Sequence, residues 1–179
     1  ADGYKRSISA PGAGNYITMS KALGLARTLL GEDAIRRRSI VQAHGSSTPQ
    51  NRLTESRIFD TVASAFGIES WPVGAVKAYV GHSLAAASGD QLAATLGIFA
   101  HGILPGIKTH QHIASDVLNS RLNIPLADLD LGPESIDVAF LNSKGFGGNN
   151  ATAALFSPSV VDKYLVNTFS NSQLKTFRQ

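Results

Sequence analysis

A short apolar run, Ile40-Val41, is held between two segments whose apolar residues recur at helical spacing. In the first segment Met19, Ala22, Leu23, Ala26, Leu29 and Leu30 share a face, and Gly31 stands where such a helix stops. In the second, Ile58, Phe59, Val62, Ala63 and Phe66 do so, with Asn51 as the expected N-cap and Gly67 as the stop. The run between them follows Arg36-Arg37-Arg38 and reads as a buried strand ending near His44. The alternation then repeats. A second short strand ends near Val76-Lys77, and a helix of small residues runs from about Ser83 to His101. Its glycines and alanines predict close approach to a sheet.

Further on, Ile136-Asp137-Val138-Ala139-Phe140 alternates as a strand does, and Ala151 to Phe156 forms another, with residues 145–150 as the connecting loop. Strand, helix, strand, helix and a terminal strand pair predict an α/β domain with a mixed sheet over residues 1–157. The opening stretch, 1–14, is rich in Gly, Pro and Ser and reads as a strand remnant or loop. Ser157-Pro158 marks the start of a separate terminal helix, so 158–179 is expected to be an extension.

Composition narrows the function classes. Hydrophobic residues make up 43% and charged residues 16%, which fits a well-buried domain and not a disordered chain. A net charge of +3 lacks the dense clustering of a nucleic-acid binder and suits an acidic protein partner at least as well. The 179 residues contain no cysteine, which excludes disulfides and thiolate-held metals. The longest uncharged apolar-rich stretch, Gln91 to Ile107, is broken by Gly97, His101, Gly102 and Pro105. It falls short of the roughly 20 apolar residues a membrane span requires. A start at Ala1 without methionine is expected of a fragment or a processed product.

Three stretches at predicted strand ends carry chemistry, where catalytic groups of open α/β sheets gather. They are Ala43-His44-Gly45-Ser46-Ser47-Thr48-Pro49-Gln50-Asn51, Lys77-Ala78-Tyr79-Val80-Gly81-His82, and Asn142-Ser143-Lys144-Gly145-Phe146-Gly147-Gly148-Asn149-Asn150. Each alone is weak, since a lone histidine after a strand or a glycine-rich turn is common. In this order, over roughly residues 10 to 157, they resemble the C-terminal half of an elongating β-ketoacyl-[acyl carrier protein] synthase of the thiolase-like superfamily. That family carries His-Gly-Thr-(Ser/x)-Thr-Pro-x-Asn, then Lys-x-x-x-Gly-His, then Asn-Ser-Phe-Gly-Phe-Gly-Gly-Thr-Asn.

The resemblance implies one half of an αβαβα fold, with helices on both faces of the sheet. It implies decarboxylative condensation of a malonyl thioester with an acyl group held on a cysteine. The cysteine is expected in an N-terminal half missing from this chain, so the chain alone is expected to be inactive. His44 and His82 match the histidines whose N–H groups stabilise the enolate, a task that favours neutral rings. Lys77 matches the lysine that orders the site, and its charge, with a helix N-terminus beside His82, would disfavour a second cation there. Ser46 and Thr48 match hydroxyls that bind the amides of the phosphopantetheine arm. Phe146 matches the residue whose N–H shares the oxyanion hole and whose ring gates the acyl pocket, with Gly147 and Gly148 in the same substrate-binding loop.

No cofactor of its own is implied, because the phosphopantetheine arm arrives on the carrier protein. Implied partners are the cysteine-bearing half, acyl carrier protein and, for the complete cytoplasmic enzyme, a second copy. Neither nucleic acid nor membrane is implied. Departures from the motif are Lys144 in place of an apolar aromatic, Asn149 in place of Thr, and Arg52 in place of Asp. Gly89 lies seven residues after His82 and the nearest acidic side chain is Asp90, which leaves open what supports Lys77. His110 and His112 alternate like strand residues but lack the partners of a metal site, and His101 reads as structural. Arg36, Arg37 and Arg38 read equally as a carrier-docking patch or a solvated loop. The rival reading is a non-catalytic, chain-length-factor-like partner, against which the retention of His44, Lys77 and His82 argues. A stand-alone thioesterase or binding module is weaker, because this half would expose a large apolar face.

Overall fold

A computed structural model describes residues 12–177, so most of the expected N-terminal loop lies outside the described residues. The elements are α1 (Ala13–Leu30), α2 (Glu32–Arg37), β1 (Ser39–Gln42), α3 (Pro49–Phe66), β2 (Trp71–Gly74) and the single turn α4 (Lys77–Val80). A 3₁₀ turn over Leu84–Ala86 leads into α5 (Ala87–His101), then β3 (Ile103–Leu104), β4 (Leu122–Asn123) and β5 (Leu129–Asp130). The hairpin β6 (Val138–Gly145) and β7 (Asn149–Phe156) follows, and α6 (Pro158–Thr168) and α7 (Asn171–Phe177) end the described chain. The main sheet has the order β4-β2-β1-β6-β7, parallel throughout except for β7, and β3 pairs β5 antiparallel beside it.

The chain leaves β1 for β2 on one side and later returns to β6 on the other. β1 is therefore the topological switch point, and its C-terminal end opens the crevice where open α/β sheets bind ligands. Strand alternation builds a core on each face. Val41, Val73, Val138 and Phe140 point to one side and pack with Met19, Leu23, Ile58, Phe59 and Val62 of α1 and α3. Ile40, Ala139 and Leu141 point to the other and pack with Ile98 of α5 and with Leu104. Trp71 is fully buried between the rings of Phe59 and Phe140, edge to face with both.

Several boundaries differ from the sequence reading. Arg36 and Arg37, read as a docking patch or a solvated loop, belong to α2: Glu32 and Asp33 in its first turn and Arg36 and Arg37 in its last complement the helix dipole. Helix α3 starts at Pro49 after Thr48, so Asn51 lies inside the first turn, buried, and is no cap. The hairpin turn is tighter than expected, residues 146–148 alone, because Gly147 (φ 80°) and Gly148 (φ 73°) both take left-handed angles. The small residues of α5 do not all serve close packing. A Cβ on Gly89 or Gly97 would meet nothing within 4 Å, and Leu92 and Leu96 are 40% and 52% exposed. This face of α5 is apolar and open. The terminal helix starts as read, with the Ser157 hydroxyl accepting from the Val160 N–H at 3.4 Å.

One buried carboxylate ties these elements together. Glu55 of α3 is 5% exposed and accepts four hydrogen bonds. They come from the main-chain N–H of His44 (2.7 Å) and Gly45 (2.9 Å), and from the amides of Asn51 (2.9 Å) and Asn142 (2.8 Å). Asn142 in turn accepts from the Asn15 amide of α1 at 2.7 Å. Removing the carboxylate strands several buried donors at once. Glu55→Ala is expected to destabilise the fold by roughly 3–5 kcal/mol, and Glu55→Gln by less, measured by chemical denaturation. A loss below about 1 kcal/mol for the alanine variant would show that the donors are not held as described.

Candidate active site

The three sequence stretches converge on the C-terminal ends of β1, β2 and β6. β1 passes into the loop carrying His44, β2 into α4 with Lys77 and then His82, and β6 into the hairpin carrying Lys144 and Phe146. The His44 and His82 rings lie edge to face with centroids 5.1 Å apart. Both border a cavity of about 250 Å³ whose other walls include Ser88, Ser143, Lys144, Asn149 and Asn150. A second, larger cavity of about 460 Å³ reaches His82 from the other side and is lined by Ser46, Lys77, Asn51, Glu55 and an apolar wall that includes Ile107, Ile113 and Leu126.

The backbone at this site is bent to aim the side chains. Gly81 takes φ 73° and ψ −169°, a conformation open to glycine alone, and so turns the chain from α4 into His82. Among the described residues, three non-glycine residues have positive φ, and two of them, Ser47 (61°) and Leu84 (58°), sit in the two histidine loops. Strain of this kind persists only where surrounding structure imposes it. Its consequence at Leu84 is visible: the Leu84 N–H donates to Nδ1 of His82 at 3.1 Å. The Lys144 N–H donates likewise to Nδ1 of His44 at 3.3 Å. With Nδ1 accepting, the proton of a neutral ring resides on Nε2 in both histidines.

His44 is 6% exposed, and burial is the largest cause that lowers its pKa from 6.5 to about 4. Glu55 opposes the shift, while Lys77, His82 and Lys144 add to it. Lys77 thus acts on His44 as well as bordering a cavity with His82. The Lys77 ammonium is itself buried, with no hydrogen-bond partner at Nζ among the described residues, and its pKa is lowered chiefly by burial against the pull of Glu55 and then Asp90. The question of what supports Lys77 is answered through space, by Glu55 first. Asp90 instead receives a short hydrogen bond from the Ser83 hydroxyl.

The remaining expected residues are placed less centrally. Ser46 lines the larger cavity, and its hydroxyl lies 3.4 Å from that of Thr48, which is exposed just ahead of α3. Phe146 is 80% exposed at the hairpin tip with Gly147, while Gly148 is buried in the turn. None of these three borders the histidine cavity, although Lys144 and Gly145 of the same hairpin do. His110 and His112 lie in turns and not in a strand, exposed at the edge of the larger cavity. Groups of three or more metal-ligating side chains are absent among the described residues. No helix among them is long and apolar enough to cross a membrane.

The arginine run is internally engaged. Arg36 pairs with Glu32 (3.1 Å) and the Phe66 carbonyl (3.2 Å), Arg37 with Asp33 (3.5 Å), and Arg38 with both oxygens of Asp137 (2.7 and 2.9 Å). All three precede β1, at the strand end opposite His44, which favours the structural reading of the patch. Two residues of consequence escaped the sequence reading. Glu55 carried a signal, a carboxylate among Ile58, Phe59 and Val62 on the buried face of a helix. Gln91, fully buried, donates to the carbonyls of Ala43 (2.8 Å) and Asn142 (3.0 Å) and so spans the diverging ends of β1 and β6. It carried no signal on its own.

Comparison with known proteins identifies the family and the fold. The family model described as beta-ketoacyl synthase, C-terminal domain, matches residues 2–111. The chain is 58% identical over 165 residues to the beta-ketoacyl-[acyl-carrier-protein] synthase FabY of Pseudomonas aeruginosa, covering 92% of this chain and 26% of that protein. It is 33% identical over 123 residues to the 3-oxoacyl-[acyl-carrier-protein] synthase 2 of a Synechocystis species, covering 65% of this chain and 26% of the other. The crystal structure of the noncanonical ketosynthase FabY from P. aeruginosa superimposes with a TM-score of 0.92 at 54% identity, over 99% of this chain and 28% of that one. The chain therefore spans about a quarter of the length of these curated relatives. Matched in family model, sequence and fold, the chain belongs to the β-ketoacyl synthase family and has the thiolase-like fold of its C-terminal domain.

Proposed function

We propose that this chain provides the decarboxylation half-site of a condensing enzyme that joins an acyl thioester to malonyl-[acyl carrier protein] in fatty acid or polyketide synthesis. The observation that carries the proposal is the matched pair of main-chain N–H groups on Nδ1 of His44 and His82, which leaves each neutral ring an Nε2–H donor beside one cavity. When the bond from the malonyl carbon to its carboxylate breaks, carbon dioxide leaves and the electron pair passes to an enolate with its charge on the thioester oxygen. Two fixed imidazole donors stabilise that charge as it forms. The enolate carbon then attacks the acyl group on a cysteine, and the cysteine thiolate departs. This chain has no cysteine, so the nucleophile is assigned to a further polypeptide segment.

The open apolar face of α5, with Leu84 at 70% exposure beside it, is the surface on which that segment would pack. The phosphopantetheine arm of the carrier would enter by the larger cavity past Ser46 and Thr48. Phe146 would contribute its N–H to the oxyanion hole when the hairpin meets the cysteine. The competing role of a non-catalytic partner has no use for two histidines held in one tautomer beside a buried lysine.

Made in the complete, cysteine-bearing protein, His44→Ala and His82→Ala should each slow carbon dioxide release from malonyl thioester by roughly 10²–10³-fold while acylation of the cysteine remains measurable. Acyl-enzyme is followed by intact mass and carbon dioxide by radiolabel. Decarboxylation that survives in both variants would make the non-catalytic partner the better reading. A pH effect follows as well. Because the folded-state pKa of His44 is about 4 against 6.5 for a free ring, the unfolded chain binds an extra proton between those values. The stability linked to neutral His44 is full above pH 6.5 and is lost as pH falls toward 4, by up to roughly 3 kcal/mol. Denaturation midpoints at pH 7 and pH 5 should differ, and His44→Asn should flatten the difference.

A further inference from the structure

The cavity beside the two histidines has a polar wall with one lysine in it. Ser88 and Ser143 hydroxyls lie 2.8 Å apart, Asn149 and Asn150 also line the cavity, and Lys144 of β6 is half-buried in its wall. Lys144 is fixed in place by the β6–β7 ladder, where it pairs with Asn150. Its N–H holds the His44 ring at 3.3 Å. Lys77, the other nearby lysine, borders the larger cavity and not this one. This cavity of about 250 Å³ also has Leu84, Ala87 and Ala151 in its walls, so two imidazoles, two serines, two asparagines and one lysine supply the polar part of a lining that can take a small anionic group.

We propose that the Lys144 ammonium is a specificity-determining group that selects the anionic malonyl thioester for the His44–His82 cavity over uncharged acyl thioesters. The assignment rests on the decarboxylation reading above. In that reading the malonyl group brings a carboxylate into the cavity and leaves an enolate after carbon dioxide departs, so an anion is present before and after the bond breaks. A cation on the wall attracts it throughout, while the two imidazoles address the oxygen where charge develops. Four charged or titratable groups act on His44: Glu55 from α3, Lys77 from α4, His82 from the following loop and Lys144 from β6. The Lys144 charge works against protonation of His44, so it also keeps the ring in the form the enolate needs.

The test compares Lys144→Met with Lys144→Arg in the complete, cysteine-bearing protein, using malonyl-[acyl carrier protein] as extender and an uncharged acyl thioester for acylation of the cysteine. Lys144→Met is expected to raise KM for the malonyl substrate about tenfold. Acylation should be unchanged, and the acid limb of the decarboxylation profile should move to higher pH. Lys144→Arg should restore both KM and the acid limb. If Lys144→Met fails to fold, Lys144→Gln carries the same expectation. An unchanged malonyl KM and acid limb in the neutral variants would overturn the proposal, as would an equal loss in acylation and decarboxylation, which marks a structural role. The two readings fail separately. Decarboxylation that persists in His44→Ala and His82→Ala sinks the half-site, whereas a normal Lys144→Met with inactive histidine variants sinks only the role of Lys144.

Discussion

The Glu55 carboxylate is the contact on which the rest of the site depends. It sits on the buried face of α3 yet receives hydrogen bonds from the loop after β1, from α3 itself and from β6. A carboxylate accepts up to about four hydrogen bonds, and here all four donors are protein groups, held by three segments of the chain. Its negative charge is also the counter-field for the buried Lys77 ammonium, which has no hydrogen-bond partner among the described residues. Position and electrostatics are thereby coupled. The group that fixes the main chain at His44 also makes a buried lysine tolerable beside it.

Around that anchor the fold keeps its two faces distinct. One face of the sheet is closed by α1 and α3 over the larger core, and the other by α5 over the smaller one. Helix α5 also keeps an open apolar side, with Leu92 and Leu96 40% and 52% exposed. The switch point at β1 then places His44 in the crevice between the β2 and β6 arms, and Gln91 of α5 bridges the ends of β1 and β6 where they part.

The two histidines reach one chemical state by different means. His44 is buried, and its Nδ1 is held by a main-chain N–H from the neighbouring strand. His82 is exposed, and its Nδ1 is held by the N–H of Leu84, a residue two positions on whose backbone is forced to a positive φ. Strain in one loop and burial in the other give a pair of rings presenting the same nitrogen. Neither device depends on the side chains of the donor residues, so the motif can change at Lys144 without losing the tautomer of His44.

Much of this was legible in the chain. Ile40-Val41 flanked by helix-period segments led to β1, α1 and α3, and the alternation at Ile136–Phe140 led to β6. His44, Lys77 and His82 stood out because their motifs at strand ends, taken in order, resemble those of the β-ketoacyl synthases. These features are local, set by periodicity of 2 or 3.6 residues and by glycines that stop helices or turn strands. What the sequence left open was decided between elements distant in the chain. Asn51 looked like a cap, but it donates along α3 to Glu55, whose other donors come from the loop after β1 and from β6. The glycines of α5 looked like packing positions, though two of them face outward. Arg38 looked free until Asp137, just ahead of β6, was brought against it. The low pKa of His44 comes from the burial and fields of four elements meeting at one point, and no window of sequence contains that meeting. Hydrophobic periodicity declares which residues turn inward; only packing declares which partners, charges and open faces they meet there.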